Sequence, residues 1–231
     1  MTNSCSDIAS RLLQLKERIN EIALAADRNP KEITLVAVSK NRSPKEILEA
    51  YEGGCRHFGE NRVLDALDKI SVTLPGVFWH FIGMLQTKKI NKVLGKFALV
   101  HSIDDPQLAE TIALRGKSGG HVTPVLLQVN VSGEASKQGL SPEEWIRSFE
   151  RVVLLPGIEI QGLMTMAPLT DDEGVIQKAF AGLRELRDKL QQMAGKNVSL
   201  CHLSMGMSND YRHAIAEGAT ILRIGSAIFG K

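Results

Sequence analysis

ITLVAVSKNRSPKEILEAYE, residues 33–52, holds one complete structural unit. The run Ile33 to Val38 is almost continuously apolar, as a strand covered on both faces must be. Ser43-Pro44 is a helix-start signal, a capping hydroxyl followed by a residue whose fixed φ suits the first turn. An amphipathic segment follows. Working outward, seven further runs repeat the pattern: His57 to Gly59, Phe78 to Ile82, Ala98 to His101, Pro124 to Val129, Ile158 to Leu163, Leu200 to Leu203 and Thr220 to Ile224. Helix-start signals recur at Asp105-Pro106, Ser141-Pro142 and Ser208-Asn209-Asp210. Upstream, Ile8, Leu12, Leu15, Ile19 and Ile22 recur at helical spacing in a segment that begins at Ser6 and ends before Pro30. Eight strand-helix units predict an α/β fold, a (β/α)8 barrel with an extra N-terminal helix, more than an open doubly wound sheet. One domain over residues 1–231 is expected, since only seven residues follow Ile224.

Hydrophobic content of 43% with 23% charged residues is enough for a full core. A net charge of +2 lacks the basic excess that nucleic-acid or membrane partners demand, so small-molecule chemistry is the default. Cys5, Cys55 and Cys201 are too scattered for a disulfide framework or a zinc site and read as reduced thiols. The N-terminus has no apolar segment of the kind a signal peptide or membrane span needs, so a cytoplasmic protein is expected; a monomer is expected separately.

Barrel active sites are assembled where strands end. Here those ends carry Ser39-Lys40, Glu60-Asn61, Gly83, Ser102, Asn130, Met164-Thr165, Ser204 and Gly225-Ser226. Lys40 is in phase with Val36 and Val38, so if those valines line the barrel Lys40 does too. A lysine desolvated there would be a usable amine nucleophile. Arg223 sits mid-strand, in phase with Ile221 and Gly225, and a buried arginine needs a partner. That partner is either a ligand or an acid such as Glu60. The loops after strands seven and eight are the usual phosphate site of this fold. Gly206-Met207-Ser208-Asn209-Asp210 and Gly225-Ser226 offer free N–H groups, close backbone approach and a hydroxyl, although Asp210 opposes an anion. Lysine, arginine and cradle together describe a holder for a phosphorylated aldehyde.

The segments Val36-Ala37-Val38-Ser39-Lys40, Phe58-Gly59-Glu60-Asn61, Trp79-His80-Phe81-Ile82-Gly83, Gly162-Leu163-Met164, Leu203-Ser204-Met205-Gly206-Met207-Ser208 and Arg223-Ile224-Gly225-Ser226-Ala227-Ile228-Phe229-Gly230 resemble the pyridoxal phosphate homeostasis protein family. That family is similar in fold to the N-terminal barrel of alanine racemase. The resemblance implies that pyridoxal 5'-phosphate (PLP) is held as a Schiff base on Lys40, with Arg223 at the pyridine nitrogen and Ser208, Gly225 and Ser226 at the phosphate. It implies Asn61 and Ser204 near the ring. Arg62 and Lys88 depart from the family pattern, which often has tyrosine and asparagine there.

An arginine at the ring nitrogen disfavours its protonation and mutes carbanion chemistry. In the racemase resemblance a second base comes from a C-terminal β-domain and a partner subunit, and the chain stops at Lys231. The expectation is therefore a non-catalytic carrier in vitamin B6 homeostasis that buffers PLP and delivers it to apo PLP-dependent enzymes. The rivals are a PLP-dependent racemase-like enzyme and a sugar-phosphate isomerase using an unmodified lysine. His80 and His202 read as core histidines satisfied by a carboxylate or the backbone, with no role assigned. Lys88, Lys89 and Lys92 read as a solvated helix face and Lys137 as a solvated loop residue.

Overall fold

The computed structural model describes residues 7–71, 74–134, 137–195 and 198–230. Cys5, the helix start at Ser6, Ala135 and Ser136 lie outside the described residues. Eight parallel strands close on themselves in chain order: Thr34–Val38 (β1), His57–Glu60 (β2), Phe78–Phe81 (β3), Leu99–Ile103 (β4), Thr123–Gln128 (β5), Ile158–Met164 (β6), His202–Ser204 (β7) and Ile221–Ile224 (β8). The closing pair sets Val36 opposite Arg223. All eight expected runs are strands. No helix among the described residues is long and apolar enough to cross a membrane.

The first helix, Asp7–Ala25 (α1), buries Ile8, Leu12, Leu15, Ile19 and Ala23, the stripe that period 3.6 selects. It packs on Pro44–Glu52 (α2), Tyr211–Ala216 (α8) and Ser226–Phe229 (α9), covering the seam where β8 returns to β1. Arg11 Nε donates to Ile228 O at 2.8 Å across that contact. Three expected helix starts are real caps. Ser43 and Ser141 form capping boxes with Glu46 and Glu144, and the Asp105 side chain accepts from Leu108 N–H. The fourth is not. α8 begins at Tyr211, neither Ser208 nor Asp210 caps it with a side chain, and the Ser208 hydroxyl is used elsewhere.

The apolar core lies mainly between the strands and the outer helices, with Trp145, Phe149, Phe180 and Phe58 fully buried there. A small separate cluster, Val36, Leu99, Leu126, Met164 and Ile221, fills part of the barrel interior. The interior also holds the buried polar side chains His80, His101, Ser204 and Arg223.

Candidate functional site

A cavity of about 1000 Å3 opens at the C-terminal ends of the strands. Its wall includes Val38, Lys40, Asn61, Arg223, Gly225 and Ser226, and the loop residues Ser208 to Asp210 stand beside them. Strand phase therefore aims Lys40 and Arg223 into one space, as expected. Lys40 itself is exposed, in the turn after β1, so it is not desolvated by the protein alone. Its Nζ meets no acceptor or carboxylate among the described residues. The other lysine of the cavity, Lys137, donates to Ala167 O at 3.1 Å, which makes it a bound residue and not the solvated one expected.

The turn carrying Lys40 is anchored from below. Ser39 is fully buried; its hydroxyl donates to Glu60 Oε1 at 2.6 Å, and Lys69 Nζ donates to the same oxygen at 2.6 Å and to Ser39 O at 2.7 Å. Glu60 is thus committed to Lys69 and not to Arg223, which removes the structural ion pair weighed above. Asn61 is held by a close approach: a Cβ at Gly83 would lie 2.1 Å from Asn61 O, so β3 can pass the β2 turn only as glycine.

Arg223 is 5% exposed and has no carboxylate within ion-pair distance among the described residues. Its Nη1 donates to Ser204 Oγ at 2.6 Å and its Nη2 to Thr165 O at 2.9 Å. Burial pulls its pKa down to about 10, opposed by the Asp210 carboxylate, so it stays cationic at neutral pH. Ser204, expected near a ring, is fully buried and does not line the cavity; it supports Arg223 from beneath. Three other strand-end polar residues are likewise spent on structure. Ser102 Oγ donates to Gly83 O, Thr165 Oγ1 donates to Val129 O, and Asn130 Nδ2 donates to Glu134 O.

The two loops after β7 and β8 are stitched together, with Ala227 N–H donating to Ser208 Oγ at 3.3 Å. Gly206 takes φ +95°, and a Cβ there would lie 2.7 Å from that of Ala214. Asp210 Oδ1 accepts from Met207 N–H at 2.5 Å, closing the turn upon itself. Burial raises the Asp210 carboxyl, which softens its opposition to an anion, while Met207 N–H and Arg223 act the other way. The N–H groups of Ser208, Asn209 and Ser226 find no acceptor among the described residues. A Cβ at Gly225 would touch only Val38, at 3.4 Å, so the chain's own packing does not require glycine there. Three free donors around an open patch of backbone suit an anion.

Sequence reading missed the residues behind Arg223. His57 Nδ1 meets His80 Nε2 at 3.0 Å, His80 Nδ1 meets His101 Nε2 at 2.9 Å, and His101 Nδ1 meets Ser204 Oγ at 2.8 Å. His80 is therefore satisfied by two other histidines, not by a carboxylate or the backbone. His202 faces the Thr220 hydroxyl at 3.4 Å. The available signal was phase: His57 with Gly59, His80 with Ile82, and His101 with Leu99 all turn inward on consecutive strands. Lys88 and Lys92 are exposed, as expected of a solvated face.

The alanine racemase N-terminal domain model matches residues 11–231. A pyridoxal phosphate homeostasis protein of Aquifex aeolicus is 42% identical over 99% of this chain and 98% of its own length. One of Escherichia coli K12 is 38% identical over 97% of both. Among solved structures, PipY of Synechococcus elongatus with PLP bound has a TM-score of 0.86 at 37% identity, covering 97% of this chain and 100% of PipY. Alanine racemase from Corynebacterium glutamicum has a TM-score of 0.74 at 14% identity, with 61% of its length covered, and shares the fold.

Proposed function

Because the chain belongs to the pyridoxal phosphate homeostasis protein family, which is built on the alanine racemase N-terminal domain, we propose that it holds PLP in the strand-end cavity as a Schiff base on Lys40. It binds PLP and takes part in vitamin B6 homeostasis. The observation that carries the assignment of residues is Arg223, a buried cation with no carboxylate within ion-pair distance among the described residues, opening on the same cavity as Lys40, which meets no acceptor among them. Ser204 Oγ, Thr165 O and the nearby Asp210 charge meet only part of its demand, and its remaining N–H groups are left for a ligand in the cavity.

When bound, PLP supplies an aldehyde that condenses with a primary amine, with loss of water. Lys40 provides that amine from an exposed turn whose base is fixed by Ser39, Glu60 and Lys69. Arg223 would hold the ring nitrogen and, as a donor that remains protonated, would leave that nitrogen unprotonated. Ser208, Asn209, Gly225 and Ser226 present backbone donors and hydroxyls to the phosphate. Asn61, which lines the cavity beside β2, would border the ring. Ser204 acts through Arg223, without contact to the cofactor.

The role is storage and delivery to apo PLP-dependent enzymes in the cytoplasm, without turnover. The names of the relatives support it. Purified protein should be yellow. Borohydride should bleach the visible band and leave the reduced adduct on a Lys40 peptide in mass mapping. Lys40→Ala should lose both band and adduct. A colourless protein, or an adduct on another lysine, refutes the assignment. Racemisation or decarboxylation of an amino acid by the holoprotein refutes the carrier role and leaves Lys40 intact.

A further inference from the structure

Behind Arg223 the barrel interior holds a row of imidazoles beside the aliphatic cluster of Val36, Leu99, Leu126, Met164 and Ile221. Ser204 and His101 are fully buried and His80 is 4% exposed. His57 opens β2 at the N-terminal rim, half-buried and stacked on Phe78 with ring centroids 4.9 Å apart. The contacts from Arg223 through Ser204, His101 and His80 to His57, between 2.6 and 3.0 Å, form one unbroken line across the barrel.

One member of this line cannot change its role. A guanidinium has no acceptor, so Ser204 Oγ accepts from Arg223. The hydroxyl has one proton, and His101 Nδ1 is the acceptor beside it, so Ser204 donates there. His101 then carries its proton on Nε2 and donates to His80 Nδ1. His80 in turn carries its proton on Nε2 and donates to His57 Nδ1, which leaves the His57 proton on Nε2, at the rim. Reversal would set two donors on Ser204 and strand its own proton in a buried site. Burial keeps the line neutral: the His80 pKa falls to about 3 and that of His101 well below the normal value, with neighbouring histidines adding to both and the Arg223 charge adding at His101. Burial lowers His57 and the adjacent His202 as well.

The geometry points to His57, His80 and His101 as positioning residues, a proton-ordered chain that acts through Ser204 to orient and stabilise the Arg223 guanidinium facing the cofactor. Every hydrogen bond in it turns its negative end toward Arg223, and bonds running one way polarise one another. The line thus does for the guanidinium what a carboxylate would do, without placing a negative charge beneath the cavity. The inference rests on the proposed role of Arg223 at the ring.

Two measurements test it. In unliganded protein with 15N-labelled histidine, the imidazole spectra of His57, His80 and His101 should each show the neutral tautomer protonated on Nε2. A proton on Nδ1 of any of the three overturns the ordering. The second uses the rim. His57→Phe keeps the stack on Phe78 but removes the last acceptor and leaves the His80 Nε2–H unpaired in a buried site, so the His80 and His101 imidazole resonances should shift with their tautomers kept, PLP affinity should fall on the order of tenfold, and the visible band should shift. His57→Asn, whose amide oxygen replaces Nδ1, should restore all three. His101 resonances and a visible band unmoved in His57→Phe overturn the coupling, as does a failure of His57→Asn to rescue. The tautomer measurement uses no cofactor, so a wild-type protein that binds no PLP sinks the proposed function and leaves the ordering to its own result.

Discussion

Glu60 is 1% exposed, and its Oε2 meets no partner among the described residues, so the whole burden of its charge falls on Oε1. Lys69 is the only cation paired with it there. Replacing Lys69 with Met would leave a buried carboxylate uncompensated, which costs about 3–5 kcal/mol. The expected outcome is a loss of that size in urea unfolding, together with weaker PLP binding because the Lys40 turn loses its anchor. Unchanged unfolding would show that water reaches Glu60. At this scale the sequence was readable where strand phase settles direction: Val36, Val38 and Lys40 on one strand, Ile221 and Arg223 on another. Depth was not readable. Ser204 has the right phase for the interior but lies too deep to reach the cavity, and only the register of β7 against β8, Ser204 opposite Ile221, reveals this. His57 and His101 escaped because one imidazole on an apolar strand means little until its neighbours on adjacent strands are known.

The strands and capped helices follow from local chemistry, and α1 from periodicity alone. Leu12 on its inner face is fully buried, while the adjacent Leu13 is 58% exposed. Leu12→Ala should cost about 2–5 kcal/mol in unfolding and Leu13→Ala under about 0.5 kcal/mol. Equal losses would mean that α1 does not pack as described. The misleading element was the start of α8. Ser208-Asn209-Asp210 has the composition of a cap, but Asp210 bonds back to Met207 and Ser208 reaches across to Ala227. Capping chemistry and loop-to-loop bridging use the same residues, so composition cannot separate them, and only the return of β8 beside β7 supplies the second loop.

For the whole molecule, three imidazoles kept neutral inside a closed barrel tie stability to pH. His57, His80 and His101 all have folded pKa values below the ordinary one of about 6.5. The unfolded chain therefore binds more protons than the folded one at acid pH. Their contribution is fully present above about pH 6.5 and is lost progressively as the pH falls toward 3, the value reached by His80. Between pH 6.5 and 5, with His202 lowered as well, the histidines alone should make unfolding take up as many as about four protons. The melting temperature should fall accordingly, and less steeply in His57→Phe. A melting temperature flat across that range would contradict the neutral interior.

Lys40 stands on an exposed turn at its cavity, while Arg223 on the same wall is buried. On the proposed function, an incoming amine can reach the bond it must replace without waiting for any part of the barrel to move. Discharge then becomes a second-order event, paced by how often a competing amine arrives, and the rate at which cargo leaves is set by the recipient.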